Sequence, residues 1–535
     1  MRILVFHGYL LAGTGSNVYN ARLAEAFVKQ GHEVHLLCQD RHPEQQDFVD
    51  AAGDWDDGAL SVRGLRARGE AGSCTAYRPD IGGLLPVYVA DRYEGIEART
   101  FADCSDHEVD LYVEANVSAV REVFELVQPD VTLANHLIMG PAILARALRG
   151  EAPYAVKVHG SALEYTVKAE PQRFLPFARE GLAGSRAILV GSHHTAASLW
   201  RALADPDVER RTRLGPPGVD VERFAPREQD AAAADLAALV GRLRKSAASD
   251  TSTAGTPAEA DAFARDEHAS AEALERLQPG VDRLVAFVGK LIVSKGVELL
   301  LAAWPLVLER VPEAKLVVVG FGAYREGLEA LCAALQSGDL EQARAIARAG
   351  RSLEYAAVPG AEVSPARPLV HLLAFLDGLD GQALERYLAA ARELRERVVL
   401  TGRLEHDELA ELLPACEALV VPSTFPEAFG MVAAEAAACG VLPVSAGHSG
   451  LAEVSQTLAR AVPEQVAGLL SFPVDDDVVE AIAACVIGWL SAEPAVREQA
   501  RTGLVETVRE RWSWDGVARG VIAAAQGRLE ELATP

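Results

Sequence analysis

The chain has 535 residues, 50% of them hydrophobic, and a formal net charge of −25. That length exceeds one ordinary core and calls for two domains with additional material. The acidity argues against a nucleic-acid partner and against an anionic membrane surface.

The seven cysteines form no Cys-x-x-Cys pair and are odd in number, so neither a disulfide framework nor a zinc site is expected, and a reducing cytoplasm fits. No apolar run approaches the roughly eighteen residues of a membrane helix, so no transmembrane segment is expected. The opening MRILVFHGYLLAGTGSN is apolar but short and broken by His7 and Gly8. It reads as a first strand and its loop rather than as a signal peptide.

Strands are expected at 2–6, 33–38, 131–135, 154–158 and 187–191, with helices between them, such as 17–30 closed by Gly31. Residues 228–282 are rich in Ala, Asp, Ser and Thr. They read as an insertion or linker with some helix and a flexible middle near 247–257. A second strand series follows at 284–289, 315–320, 397–401, 418–422 and 441–445. Residues 325–395 carry a helical insertion interrupted by VPGAEVSPARP. Neither insertion holds a chemical motif, and both are expected at the periphery, shaping acceptor choice or oligomerisation. Two alternating strand–helix series make an α/β chain of two doubly wound parallel-sheet domains, with ligands beyond the carboxyl ends of the strands. The boundaries read are 1–227, the linker 228–282, 283–505 and a terminal helix at 506–535.

The most informative segment runs from Pro422 to Val444, PSTFPEAFGMVAAEAAACGVLPV. A strand ends in a Pro-punctuated loop, and a helix enters at Gly430. The free N–H groups and positive dipole end of such an entry suit a diphosphate. Glu427 lies beside that anion site, and Glu435 stands about a turn into the helix, where a carboxylate can accept hydrogen bonds from sugar hydroxyls. The loop GKLIVSKG, Gly289 to Gly296, follows the first strand of the second series. Lys290 and Lys295 there are two of only seven lysines in the chain. They can neutralise a diphosphate and stabilise charge developing on a leaving group. In the first strand's loop, Gly13 and Gly15 allow close backbone approach before a helix, though the full Gly-x-Gly-x-x-Gly fingerprint is absent. His159, at a strand end in Lys157-Val158-His159-Gly160, can hydrogen-bond a sugar hydroxyl and shield a cationic transition state.

These motifs, in content and order, resemble the retaining GT-B glycosyltransferases of the family 4 (group 1) type over roughly 1–225 and 283–535. The Glu427/Glu435 pair matches the family's glutamate-x7-glutamate signature. The lysine loop matches its Gly-Arg-x-x-x-x-Lys-Gly, with Lys290 where arginine is usual, which keeps the charge and loses the planar fork. The resemblance implies two Rossmann-like domains facing a central cleft and a last helix, near Arg511-Trp512-Ser513-Trp514, returning to the first. It implies sugar transfer from a UDP-, GDP- or ADP-linked donor to a hydroxyl of a small molecule or glycan, with retention and without a metal or other cofactor. It assigns Glu427 to donor-sugar hydroxyls, Glu435 to ribose and Lys290 and Lys295 to the diphosphate. His159 falls near the sugar's primary hydroxyl. Gly13, Gly15, Arg403, Leu404, Phe429, Gly430, Met431 and Val432 line the donor. The loop glycines Gly447 and Gly450 stand near the diphosphate. The rivals are a non-catalytic nucleotide-sugar-binding protein, a pyridoxal-phosphate GT-B phosphorylase with Lys295 as Schiff-base lysine, and a Rossmann oxidoreductase.

Overall fold

The structure is a computed structural model that describes every residue except 14, 57, 68–71, 90–95, 250–264 and 355–366. Contacts divide the chain into two compact units, one of Met1–Gly218 with Trp512–Pro535 and one of Val219–Arg511.

The first unit holds strands β1 (Arg2–Phe6), β2 (Glu33–Leu37), β3 (Ala51–Asp56), β4 (Ala59–Gly64), β5 (Ser73–Arg78), β6 (Leu84–Val87), β7 (Glu97–Thr100), β8 (Val131–Asn135), β9 (Tyr154–Lys157), β10 (Ala187–Val190) and β11 (Thr212–Leu214). Nine of them form one sheet in the order β11-β10-β9-β8-β1-β2-β5-β3-β4, while β6 and β7 pair separately. Every pair in the nine-stranded sheet is parallel except β3 with β4. The central strands are buried along nearly their whole length because helices cover both faces.

The helix Trp514–Gln526 belongs to this unit. It buries Trp514, Ala518, Val521 and Ala524 in one core with Ile3, Val5, Leu23, Phe27, Leu133 and Ala155. The Trp514 ring meets Tyr19 edge-on at 5.5 Å. The tryptophan therefore serves packing, and residues 506–511 stay in the preceding helix Pro494–Arg511, which remains in the second unit. Only the segment from Trp512 onward returns.

The second unit holds β12 (Arg283–Val288), β13 (Ala314–Val319), β14 (Val398–Gly402), β15 (Ala418–Val421), β16 (Leu442–Ala446) and β17 (Ser471–Phe472). They form a six-stranded parallel sheet ordered β14-β13-β12-β15-β16-β17. The stretch read as a linker is folded into this unit. Helix Gln229–Ser249 packs on Glu267–Glu275 and on His406–Leu412, because its Leu236, Leu239 and Leu243 form a buried stripe. The flexible middle expected near 247–257 falls mostly outside the described residues. The second insertion supplies helices Arg325–Ser337, Leu340–Ala349, Val370–Gly378 and Gly381–Ala391. Among the described residues, no single helix is long and apolar enough to cross a membrane.

Gly218 marks how closely the returning helix seats in the first unit. A Cβ there would come within 2.5 Å of Trp514 Cδ2. Gly218→Ala should cost about 2 kcal/mol of stability by overpacking, read as a lowered urea midpoint. An unchanged midpoint would show that the tryptophan yields freely.

Candidate active site

In the second unit, β12 and β15 are adjacent and parallel, so the loops leaving their carboxyl ends emerge side by side. The lysine loop after β12 turns through a short 3-10 segment, Val293–Lys295, closed by Gly296 at φ +66. A Cβ at Gly296 would fall 2.1 Å from the Pro422 carbonyl oxygen, so glycine is what lets the two loops meet. The Thr424 N–H donates to the Ser294 carbonyl at 3.0 Å. Lys295 Nζ donates to Glu427 Oε1 in an ion pair. Lys295 and Glu427, read from the sequence as separate groups for the diphosphate and the donor sugar, are thus in direct contact with each other.

Glu427 is held on every side. Ser423 Oγ donates to the same Oε1 at 2.7 Å. The Glu427 N–H donates to Ser449 Oγ at 2.9 Å, and its carbonyl accepts the Gly450 N–H at 2.9 Å. His448 bridges this set, with Nε2 2.8 Å from the Ser423 carbonyl and Nδ1 3.0 Å from Ser449 Oγ. One neutral tautomer satisfies both contacts, with Nε2–H donating to the carbonyl and Nδ1 accepting from the hydroxyl. Burial alone would push the Glu427 carboxyl up. The charge and hydrogen bond of Lys295, with Ser423 and His448, outweigh it and hold Glu427 below the usual carboxylate range.

Helix Met431–Ala438 starts at Gly430, whose φ is +149. Phe429 is buried, and a Cβ on Gly450 would meet the Phe429 backbone at 2.6 Å, so Gly450 serves close packing beneath this turn. Met431 and Val432 are half-buried in the first turn, where backbone N–H groups lack intrahelical acceptors. Glu435 is buried deeper, and its Oε1 lies 2.8 Å from His406 Nε2. The His406 ring packs against Phe224 at 4.8 Å. Arg403 pairs with Glu405 at 2.9 Å, and Arg403 and Lys290 both stand over the Phe321 ring, 5.7 and 5.9 Å from its centre. Leu404 is buried beside them.

In the first unit, Gly13 takes φ +94 and Gly15 opens helix Gly15–Lys29. The loop between β1 and that helix is fastened by His7. Its Nδ1 lies 3.0 Å from Asn20 Nδ2, and its Nε2 reaches the Leu10 carbonyl at 2.9 Å and Asn17 Oδ1 at 3.1 Å. His159 Nε2 lies 3.0 Å from Asn135 Oδ1, and its ring meets Tyr19 at 5.1 Å. Between His7 and His159 sits His136, 5.7 and 4.9 Å from them by ring centre. His136 is buried, and neither ring nitrogen has a hydrogen-bond partner among the described residues.

The sequence reading missed Ser423, Ser449, His448, His406, His7 and His136. Ser423 and His448 lay within or beside segments already singled out, but Ser423 meets a carboxylate, and His448 a carbonyl and a hydroxyl, that no spacing rule reveals.

A profile of the glycosyl transferase 4-like domain matches residues 14–215, and one of the glycosyl transferases group 1 matches 273–339 and 372–511. Together they cover the second sheet, all of the first sheet but β1, and every motif of the second unit. The chain belongs to the group 1 (family 4) glycosyltransferases. It is similar to an uncharacterized glycosyltransferase of Methanocaldococcus jannaschii, 25% identical over 47% of this chain and 46% of that one. It is similar also to a D-inositol 3-phosphate glycosyltransferase of Segniliparus rotundus, 26% identical over 55% of this chain and 56% of that one. The matched part therefore spans about half the length of these curated relatives. Among solved structures, sucrose-phosphate synthase from Thermosynechococcus elongatus superposes with a TM-score of 0.55 at 18% identity, covering 99% of each chain. Anabaena HepE, in complex with UDP and glucose, gives 0.55 at 14% identity over 98% of this chain and 99% of that one. At these identities the likeness establishes the GT-B fold of this glycosyltransferase.

Burial drives the histidines of the first unit toward neutrality. His7 falls from 6.5 to about 4, and His136 and His159 are held well below the ordinary range by burial, with the mutual repulsion that a second charge in the cluster would meet, and Lys157 near His159, adding to the effect. The unfolded chain then binds protons that the folded chain refuses. Stability from these groups is full above about pH 6.5 and falls as the pH drops toward about 4. His136→Asn, which tolerates the residue's φ of +69, should flatten that slope in melting scans, whatever its effect at neutral pH. An unaltered slope would show that His136 does not enter the fold uncharged.

Proposed function

We propose that this glycosyltransferase transfers a hexose from a UDP-sugar to a hydroxyl of a small-molecule or glycan acceptor, with retention of configuration and without a metal ion. The observation that carries the reading is the Lys295–Glu427 pair, which joins the cationic loop and the glutamate loop beside the start of helix Met431–Ala438. UDP is favoured as the nucleotide because Anabaena HepE, of the same fold, is described with UDP and glucose and with UDP-glucose.

In this reading the donor diphosphate lies against the first amides of the Met431 helix and beside Lys290 and Lys295. Two lysines supply the positive charge that the departing diphosphate requires. Glu427, ionised and tightly oriented, accepts hydrogen bonds from donor-sugar hydroxyls, while Glu435, steadied by His406, accepts from the ribose. Arg403, Leu404 and Phe429 border the nucleotide. The acceptor oxygen bonds to the anomeric carbon on the face from which the diphosphate leaves, and a leaving phosphate oxygen takes the acceptor's proton. No protein base is needed, and the two glutamates are not a hydrolase couple. In the first unit, His159 is assigned to a sugar hydroxyl and Gly13 and Gly15 to phosphate approach, on the strength of the family pattern. His159 enters as a neutral imidazole, able to donate or accept.

Glu427→Ala should lower kcat/KM for transfer by about a thousandfold while UDP affinity changes little. Lys295→Ala should weaken UDP binding by about tenfold and transfer by more, because it removes a charge-assisted contact and leaves Glu427 unpaired. Calorimetric titration with UDP and turnover in excess chelator read both. Transfer by Glu427→Ala at the wild-type rate, or full loss of wild-type activity in chelator, would overturn the reading. Proton NMR of the first product tests retention: an inverted anomeric centre would refute it.

A further inference from the structure

The family match breaks between residues 339 and 372, and the chain inserts its own segment there. That segment is not peripheral to the candidate donor site. Helix Leu340–Ala349 begins with Asp339 accepting the Gln342 N–H at 3.0 Å, and Arg344 pins it to Asp377 at 2.7 Å and to the Leu376 carbonyl at 2.8 Å. The Leu369 N–H donates to the Ala347 carbonyl at 2.8 Å, and Gly350 bridges to Arg367. Both ends of the insertion are therefore tied down, and the turn Arg351–Glu354 that follows projects one carboxylate inward.

Glu354 Oε1 accepts the backbone N–H of Val293, and Glu354 Oε2 lies 3.3 Å from Arg351 Nε. Val293 is the first residue of the 3-10 turn that ends at Lys295, and Ile292 before it offers no side-chain cap. Such a turn leaves its first amide without a local acceptor, and a buried unmet N–H is costly. Glu354 supplies the acceptor from 61 residues away, with a charge, on a side chain only 12% exposed. Two residues further on in the same turn, Lys295 reaches Glu427.

We propose that Glu354 is a positioning residue for sugar-donor binding: the inserted segment caps the lysine loop and so fixes where Lys295 presents its charge. The inference rests on reading that loop as the donor-phosphate site. The cap acts through the backbone, so its removal loosens the loop without removing any group that touches the donor. Glutamine keeps an acceptor oxygen in the same place, whereas alanine removes it.

The test compares Glu354→Ala, Glu354→Gln and Lys295→Ala with the unaltered full chain. Hydrogen–deuterium exchange of the peptide spanning 289–297 reports the loop, and calorimetric titration with UDP reports the site. Glu354→Ala should speed exchange there by about tenfold and weaken UDP by a similar factor, while Glu354→Gln stays close to the unaltered protein. Unchanged exchange in Glu354→Ala overturns the cap. Faster exchange with unchanged UDP affinity, while Lys295→Ala binds UDP weakly, overturns the positioning role alone. If Lys295→Ala also binds UDP normally, the donor-site reading falls and this inference with it.

Discussion

The contact between Lys295 and Glu427 depends on strand order. Their loops are 132 positions apart in sequence, yet they leave neighbouring parallel strands at the same edge of the sheet. Parallel neighbours lie about 5 Å apart, so loops at their carboxyl ends must share space. Whether they share it as a clash or as a site is decided by small residues. Gly296 sits where any side chain would strike the Pro422 carbonyl, and Gly450 sits where one would strike the Phe429 backbone. With those approaches allowed, Coulomb attraction in a half-buried setting outweighs burial, which acts in the opposite direction on the Glu427 carboxyl.

Both units pair charge at their surfaces, but around their motif residues they treat ionisable groups differently. The second keeps charge by pairing it, as with Lys295 and Glu427, or Lys315 with Asp282 at 2.6 Å. The first sheds charge through burial. Its three clustered histidines are neutral, and Lys157, against the Gly215 carbonyl and the Tyr19 ring, is lowered to about 7. Glu298 is an exception within the second unit. Burial pushes it up to about 8, and one of its oxygens has no hydrogen-bond partner among the described residues.

The strands that sequence reading located include those with unbroken apolar runs, such as ILVF in β1 and LVVV in β13, because a parallel sheet covered on both faces favours them. It passed over β3, AAGDWD, and the largely exposed β4, ALSVRG, whose mixed residues at the sheet margin need no such run. The second unit's motif residues were legible because they cluster in short segments of unusual composition, two lysines in six residues and two glutamates around a glycine. The supporting shell was not. His406 beneath Glu435, His448 beside Ser423, and Glu354 on Val293 are meetings of distant segments, fixed only when the sheet orders its strands. In the stretch after 228, read as an insertion or linker with some helix, the alanine-rich composition gave no sign of where it packs, while its leucines fall at helical spacing and fold it into the second unit.

The return of Trp514 to the first unit has a consequence for biosynthesis. The face of the first sheet formed by Ile3, Val5 and Leu133 is roofed in part by residues from the far end of the sequence. On the ribosome, that apolar face must wait, only partly covered, while the whole second unit is translated. The order of synthesis therefore inverts the order of completion, and the half made first is the half finished last.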